Sequence, residues 1–135
     1  MKKNLFFKIL GLSAIVLFSI SCSKSDATPP SVTTPAGNWV GYQSNGLGGP
    51  LNYFAINFQA NGTLVVSTNS PTAPDLGNGT WSLVADSVKA TYTIISSGTS
   101  YSLAGKYAAS SNVMNGTLGL GTSTTGAGVF SLTRQ

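Results

Sequence analysis

Residues 51–68, LNYFAINFQANGTLVVST, form the stretch that decides the fold class. Phe54, Ile56 and Phe58 alternate with smaller or more polar residues, which is the period of a strand with one buried face. Asn61-Gly62 follows, and this dipeptide between two apolar runs is a strong local signal for a β-hairpin. The stretch therefore predicts two antiparallel strands joined by a tight turn.

Comparable alternating segments continue in both directions along the chain, and no part of residues 37–135 shows a helical period. Eight strands are predicted, at 38–43, 51–59, 63–68, 79–85, 87–96, 100–108, 113–121 and 128–134. Short consecutive strands of this kind predict an all-β domain built as a single eight-stranded up-and-down antiparallel barrel. A β-sandwich is the alternative.

Short turn-like motifs recur between or within these segments. Asn-Gly-Thr occurs at Asn61, Asn78 and Asn115, and we interpret it as turn chemistry in preference to a glycosylation sequon. The last copy falls inside a predicted strand, so it indicates either a bulge or a different strand boundary. Asp86-Ser87-Val88 resembles an O-glycosylation pattern of some Gram-negative secreted proteins, although a turn between strands explains it as well.

The N-terminal segment has the layout of a secretory signal peptide. The basic run MKKNLFFK precedes an apolar run at 9–20, which is shorter than the roughly 20 apolar residues that a transmembrane helix needs. SISC at Ser19–Cys22 resembles a bacterial lipobox. The resemblance implies that residues 1–21 are a lipoprotein signal peptide and that Cys22 carries the lipid and becomes the mature N-terminus. Ser23 after the cysteine implies an outer-membrane location, on either its periplasmic or its surface face.

The next segment, 22–36, is rich in Pro, Ser and Thr and lacks aromatic residues, so it is predicted to be a flexible tether. Residues 37–135 form the predicted barrel domain. Within it, Gly37-Asn38-Trp39 opens the first strand and Arg134 ends the last. This pair resembles the G-x-W motif and the terminal arginine of lipocalin-like proteins. The resemblance implies that the arginine covers the tryptophan at the closed end of the barrel.

Charge and composition argue against several function classes. The formal net charge of +4 depends on Lys2, Lys3 and Lys8, which belong to the signal peptide, so no clustered basic face remains for nucleic acid. The chain has no His and no Glu, and its one Cys is the predicted lipid attachment site. We therefore expect no enzymatic activity, no catalytic residues, no metal site and no cofactor.

Loop lengths suggest where a ligand or partner would bind. The predicted loops alternate between a tight end and an open end that carries longer Gly- and Pro-rich loops. We expect a small apolar or amphipathic ligand at the open rim, with Tyr92, Tyr101 and Tyr107 as candidate ligand contacts because a buried phenol needs a partner. The alternative is a protein- or glycan-interaction module that uses loops 44–50 and 69–78, with the barrel as scaffold.

Overall fold

A computed structural model describes residues 34–46 and 48–135 of the protein. The predicted signal peptide, Cys22 and most of the predicted tether lie outside these residues. Within the described ranges, no helix has the length and hydropathy required to cross a membrane.

The described chain forms one closed, eight-stranded antiparallel barrel in which each strand pairs with its neighbours in sequence. The strands are β1 (Gly37–Ser44), β2 (Asn52–Phe58), β3 (Thr63–Asn69), β4 (Asp75–Val84), β5 (Ser87–Ile94), β6 (Ser100–Tyr107), β7 (Val113–Leu120) and β8 (Gly128–Arg134). The barrel closes between β1 and β8, where Trp39 lies opposite Arg134 and Ser44 opposite Val129. The predicted barrel is confirmed, and the sandwich alternative is wrong.

β4 is the strand that departs most from its predicted position. It begins at Asp75, four residues before the predicted start at 79, so the loop predicted at 69–78 is only 70–74. The strand accommodates Gly79 because a Cβ atom there would lie 1.9 Å from the Thr91 carbonyl oxygen. Close pairing with β5 therefore requires glycine where the local dipeptide suggested a turn.

The turn interpretation holds for only one of the Asn-Gly-Thr motifs. Asn61-Gly62 lies in the β2–β3 turn, with Gly62 at a φ of 85°. Asn78-Gly79 and Asn115-Gly116 lie within β4 and β7, so the turn prediction is wrong for both. β7 pairs with β6 and β8 in unbroken register, so neither the bulge nor the boundary change considered for Asn115 occurs. Residues 85–86 form the turn between β4 and β5, as the preferred interpretation of the Asp86 motif requires.

Side chains fill the interior of the barrel. The buried core consists of Trp39, Phe54, Ile56, Phe58, Leu64, Val66, Val88, Ala90, Tyr92, Ile94, Leu103, Tyr107, Met114, Leu118, Phe130 and Leu132. Even the space beside the core glycines is occupied, because a Cβ atom on Gly105 or Gly116 would lie within 2.9 Å of the Phe130 ring. The middle of the barrel is thus a packed core.

The two ends of the barrel differ in the length of their loops. Loops 45–51, 70–74, 95–99 and 121–127 surround one end, which we call the mouth. The other end, the closed end, has the connections 59–62, 85–86 and 108–112, of which none is longer than five residues. The longer loops make the mouth the end at which a small molecule could enter.

Candidate functional site

The mouth contains a cavity of about 180 Å³. Its lining residues are Gln43, Asn45, Thr68, Asn69, Asp75, Tyr92, Ile94, Ser97, Tyr101, Leu118 and Ala127. Most of these side chains are polar, whereas Ile94, Leu118 and Ala127 supply apolar surface. The volume is below the roughly 300–1,000 Å³ of drug-sized ligand pockets. The cavity therefore suits one small molecule or the end of a longer one.

Tyr92 contributes a polar atom from a buried position. The residue is only 4% exposed, and its ring stacks on Tyr101 at 5.5 Å between centroids and packs on Phe54 at 6.4 Å. Its hydroxyl makes no hydrogen bond to the described residues. Every fully buried polar side-chain atom among those residues has a hydrogen-bond partner, so the Tyr92 hydroxyl is not itself fully buried. The hydroxyl is therefore reachable from the cavity that the residue lines.

The surroundings of Tyr92 also determine its protonation. Burial, and secondarily the nearby Tyr101, raise the pKa of the Tyr92 phenol far above its ordinary value. The phenol consequently stays neutral at any physiological pH. It offers the cavity one hydrogen-bond donor together with the acceptor capacity of its oxygen.

Asp75 places a carboxylate at the same cavity, and its own neighbours position it. The Thr68 hydroxyl donates a hydrogen bond to the Asp75 main-chain carbonyl at 3.2 Å. The Ser96 hydroxyl donates to Asp75 Oδ2 at 2.8 Å. Because Asp75 is the first residue of β4, strand pairing with Thr68 fixes its backbone at the rim. The site thus combines a held carboxylate with a buried phenol.

The seven-residue loop 121–127 leaves the mouth open by folding against the outer wall. The Ser102 hydroxyl, on β6, donates a hydrogen bond to the Gly121 carbonyl at 2.5 Å. A Cβ atom on Gly119 would lie 2.2 Å from the Ser123 carbonyl oxygen, so the absence of a side chain there lets the loop lie on β7. Only Ala127, at the end of the loop, reaches the cavity lining.

The residues that carry the lipocalin-like resemblance meet at the closed end. The Arg134 guanidinium carbon lies 5.7 Å from the Trp39 ring centroid. Gly37 has a φ of 131°, and a Cβ atom there would lie 3.2 Å from the guanidinium. The structure therefore brings Gly37, Trp39 and Arg134 together in one cluster of structural contacts.

The same cluster holds the last residues of the predicted tether. The Trp39 indole N–H donates to the Pro35 carbonyl at 2.8 Å, and Pro35 is fully buried. Arg134 donates to the carbonyls of Thr34, at 3.3 Å, and Ala36. Three residues assigned to the tether by composition are thus ordered against the barrel, because their carbonyls meet donors that only the folded domain provides.

The candidate tyrosines separate into two locations. Tyr92 and Tyr101 lie together at the mouth. Tyr107 lies at the closed end, where its ring meets Trp39 edge to face at 6.0 Å and its hydroxyl donates to the Thr34 carbonyl at 3.2 Å. Tyr101 and Tyr107 share β6 but are six residues apart, or about 20 Å along a strand. One small ligand cannot contact both.

Several mouth residues were not predicted individually from the sequence. Asn45, Asn69 and Asp75 fall within loops 44–50 and 69–78 of the alternative interaction hypothesis, whereas Gln43, Thr68 and Ser97 belong to neither prediction. Their common signal is position, since each lies at the open-end terminus of a strand or in the loop that follows it. Polar residues at such positions resemble ordinary loop residues until strand pairing shows that they surround one cavity.

The described residues do not form a recognisable metal-binding site. Across residues 34–46 and 48–135, no three His, Cys, Asp or Glu side chains come together as a metal site. The predicted lipidation site, Cys22, lies outside the described residues.

Comparisons with protein-family models, with curated proteins and with solved structures found no match.

Proposed function

We propose that the protein is a non-enzymatic lipoprotein of the outer membrane whose barrel binds a small amphipathic ligand at its mouth. The observation that carries the proposal is the buried Tyr92, whose hydroxyl faces the cavity without a hydrogen bond among the described residues. A phenol hydroxyl that is reachable from a cavity and makes no hydrogen bond to the described residues is available as a donor and acceptor for a bound ligand. Polar walls and the apolar contribution of Ile94 and Leu118 suit a molecule with both characters.

The packed core argues against a ligand site deeper in the barrel than the mouth. A wholly apolar ligand inside the barrel would have to displace side chains such as Phe54 and Phe130, which lie 5.9 Å apart at their ring centroids. Displacing such contacts forfeits the burial that stabilises the fold. Of the two ligand types predicted from the sequence, apolar and amphipathic, we therefore propose the amphipathic one.

The lipid anchor belongs to the same proposal and rests on the sequence. Cys22 follows an apolar run and resembles the lipidated cysteine of bacterial lipoproteins. Each buried acyl CH₂ contributes about 0.8 kcal/mol, so two or three chains would anchor the protein stably. The tether joins the barrel at the closed end, where Pro35 is buried, and the mouth lies at the opposite end. This arrangement leaves the mouth accessible.

Native mass spectrometry of the full-length protein, extracted from its host membrane in mild detergent, tests ligand binding at the mouth. Ser97 is exposed and lines the cavity, so Ser97→Trp should fill the cavity with little effect on the fold. The wild type should carry a small bound molecule that Ser97→Trp lacks. Ser111→Trp, an equally exposed serine in a closed-end loop, is the matched control and should retain it. A wild type without a bound molecule, or a Ser97→Trp variant that retains it, would contradict the proposal.

A second candidate function is contact with another protein around the mouth. Leu51, Ile95 and Leu120 are 70%, 63% and 60% exposed in or beside the mouth loops. Exposed apolar side chains grouped near one end of a domain favour a docking role. In-cell crosslinking should then capture a partner that a Leu51→Ser/Ile95→Ser variant loses and Ser97→Trp retains. Identical crosslinks in the wild type and the double variant would contradict this candidate.

A further inference from the structure

The distribution of charge around the barrel distinguishes the mouth from every other surface. Among the described residues, Asp75 is the only charged side chain that lines the mouth cavity. The one ion pair among the described residues joins Asp86 to Lys106 at 3.1 Å, near the closed end. Arg134 also lies at the closed end, and Lys89 points outward from β5. The described mouth therefore carries a negative charge with no cation of its own.

The remaining polar groups of the cavity are neutral and can all accept hydrogen bonds. They comprise the hydroxyls of Thr68, Ser97, Tyr92 and Tyr101 and the side-chain amides of Gln43, Asn45 and Asn69. The Tyr92 phenol belongs with them because its pKa is raised and it stays un-ionised. An ammonium group has three donors and no acceptor, so it complements this set of oxygens.

From these observations we infer that the mouth selects the ammonium end of a small organic amine. The inference rests on the proposed function and specifies the ligand class. A neutral ligand that displaced water would leave the Asp75 carboxylate without a counter-charge in a less polar environment, whereas an ammonium group compensates it. An anion would meet the carboxylate at close range and find no basic side chain in the lining.

A metal cation fits the same site less well. Calcium takes six to eight oxygen ligands, commonly with several carboxylates, and magnesium requires near-ideal octahedral geometry. The cavity lining supplies one carboxylate, and no group of three potential metal ligands occurs within the described residues. The apolar surface from Ile94 and Leu118 also favours a ligand whose charged end is attached to carbon.

Three probes that share one ring and differ only in head group test the inference. Cyclohexylamine is protonated at neutral pH, cyclohexanol is neutral and cyclohexanecarboxylate is ionised. Isothermal titration of each into the full-length protein in detergent should show the amine binding about tenfold or more tighter than the alcohol, since charge-assisted hydrogen bonds are the stronger ones. The carboxylate should not bind measurably, and added salt should weaken amine binding.

Asp75→Asn separates charge from shape. Asparagine retains a side-chain oxygen for the Ser96 hydroxyl and should keep the fold, which circular dichroism can verify. The variant should bind the amine and the alcohol equally. Asp86→Asn, which removes an exposed carboxylate at the closed end, should keep the wild-type preference for the amine.

The outcomes separate this inference from the proposed function. Amine preference that persists in Asp75→Asn would overturn the inference, as would equal or tighter binding of the alcohol by the wild type. If the wild type binds the alcohol and Ser97→Trp abolishes this binding, the mouth is still a ligand site, but it does not select amines. Failure of the wild type to bind any probe would overturn the amine class, while native mass spectrometry decides independently whether a ligand occupies the mouth.

Discussion

Tyr92 shows how one side chain can belong to both a core and a site. Its ring packs on Phe54 and Tyr101 and is almost wholly buried, so it contributes to stability as an apolar residue does. Its hydroxyl faces a cavity, where it is available to a ligand. Removing the hydroxyl should therefore alter binding and the pH dependence of stability more than the packing.

Tyr92→Phe should protect the fold at alkaline pH. The unfolded phenol ionises near a pKa of about 10, whereas burial raises the pKa in the folded state. Folded Tyr92 thus keeps a proton that the unfolded chain releases, and wild-type stability falls as the pH rises above about 10. Urea unfolding at pH 8 and pH 11 should show the wild type losing about 1 kcal/mol more than Tyr92→Phe.

The control for this experiment is Tyr42→Phe. Tyr42 is 55% exposed on the outer wall, so its replacement should leave the wild-type loss of stability in place. Equal alkaline losses in Tyr92→Phe and the wild type would show that the buried phenol does not cause the effect.

Arg134 is a second residue whose contacts join distant parts of the chain. It covers the Trp39 ring and donates to the carbonyls of Thr34 and Ala36. Arg134→Gln should lower the free energy of unfolding by about 1–3 kcal/mol, combining a lost cation–π contact with lost hydrogen bonds. Exchange of the Trp39 indole N–H, now bonded to the Pro35 carbonyl, should become faster.

Lys89→Gln provides the comparison, since Lys89 is exposed on the outer face of β5. It should change stability by no more than about 0.5 kcal/mol. If Arg134→Gln behaved like Lys89→Gln in both measurements, the cluster at the closed end would have no energetic role.

At the scale of the strands, glycines in β6 and β7 allow a large side chain from β8 to lie over both neighbouring strands. Gly105 and Gly116 are Cα partners on adjacent strands, and the Phe130 ring from β8 lies against both. The space beside these glycines is occupied by an aromatic ring and is not available to a ligand. Core packing in a small barrel depends on such matches between small and large residues across strands.

Gly105→Ala should destabilise the barrel by overpacking. The new Cβ atom would lie 2.9 Å from Phe130 Cζ and 3.1 Å from the Met114 side chain, which must move. We expect a loss of about 1–3 kcal/mol in denaturant unfolding. Combined with Phe130→Leu, the loss should be smaller than the sum of the two single variants, because the smaller side chain relieves the clash. Strictly additive losses would contradict this account.

At the scale of the whole molecule, the described chain begins at the closed end of the barrel, and the mouth lies at the other end. The predicted lipid joins at Cys22, and the chain enters the barrel at the closed end through the buried Pro35. The barrel has no free strand edge among its described strands, since β1 pairs with β8. Closure therefore removes the exposed backbone groups through which sheets aggregate.

Cys22→Ser should release the protein from the membrane. Without the thiol, no acyl chain can be attached, and the hydrophobic contribution of the lipid is lost. In a detergent phase-partition experiment, the wild type should enter the detergent phase and Cys22→Ser should remain in the aqueous phase. Ser31→Ala, in the predicted tether, should partition like the wild type. Retention of Cys22→Ser in the detergent phase would indicate that the N-terminal apolar segment itself holds the chain.

Local sequence predicted the strands well and the site only in part. Alternation in 51–59 and the Asn61-Gly62 turn depend on neighbouring residues, so β2, β3 and their hairpin could be predicted. Asn78-Gly79 has the same local preference, yet pairing with β5 overrides it because Gly79 fits beneath the Thr91 carbonyl. Tyr92 could be predicted as a site residue because a buried phenol needs a hydrogen-bond partner. Asp75 could not be singled out, because it fell within a predicted loop.

The sequence by itself determined the all-β class and the order of the strands, and it predicts a signal peptide at the N-terminus. These follow from periodicity, turn chemistry and hydropathy, which are properties of neighbouring residues. Tertiary structure decided that the interior is packed, that Tyr107 lies apart from Tyr92, and that Asp75 shares a cavity with Tyr92. Those outcomes depend on barrel closure and cross-strand register, which bring together residues that are far apart in the chain.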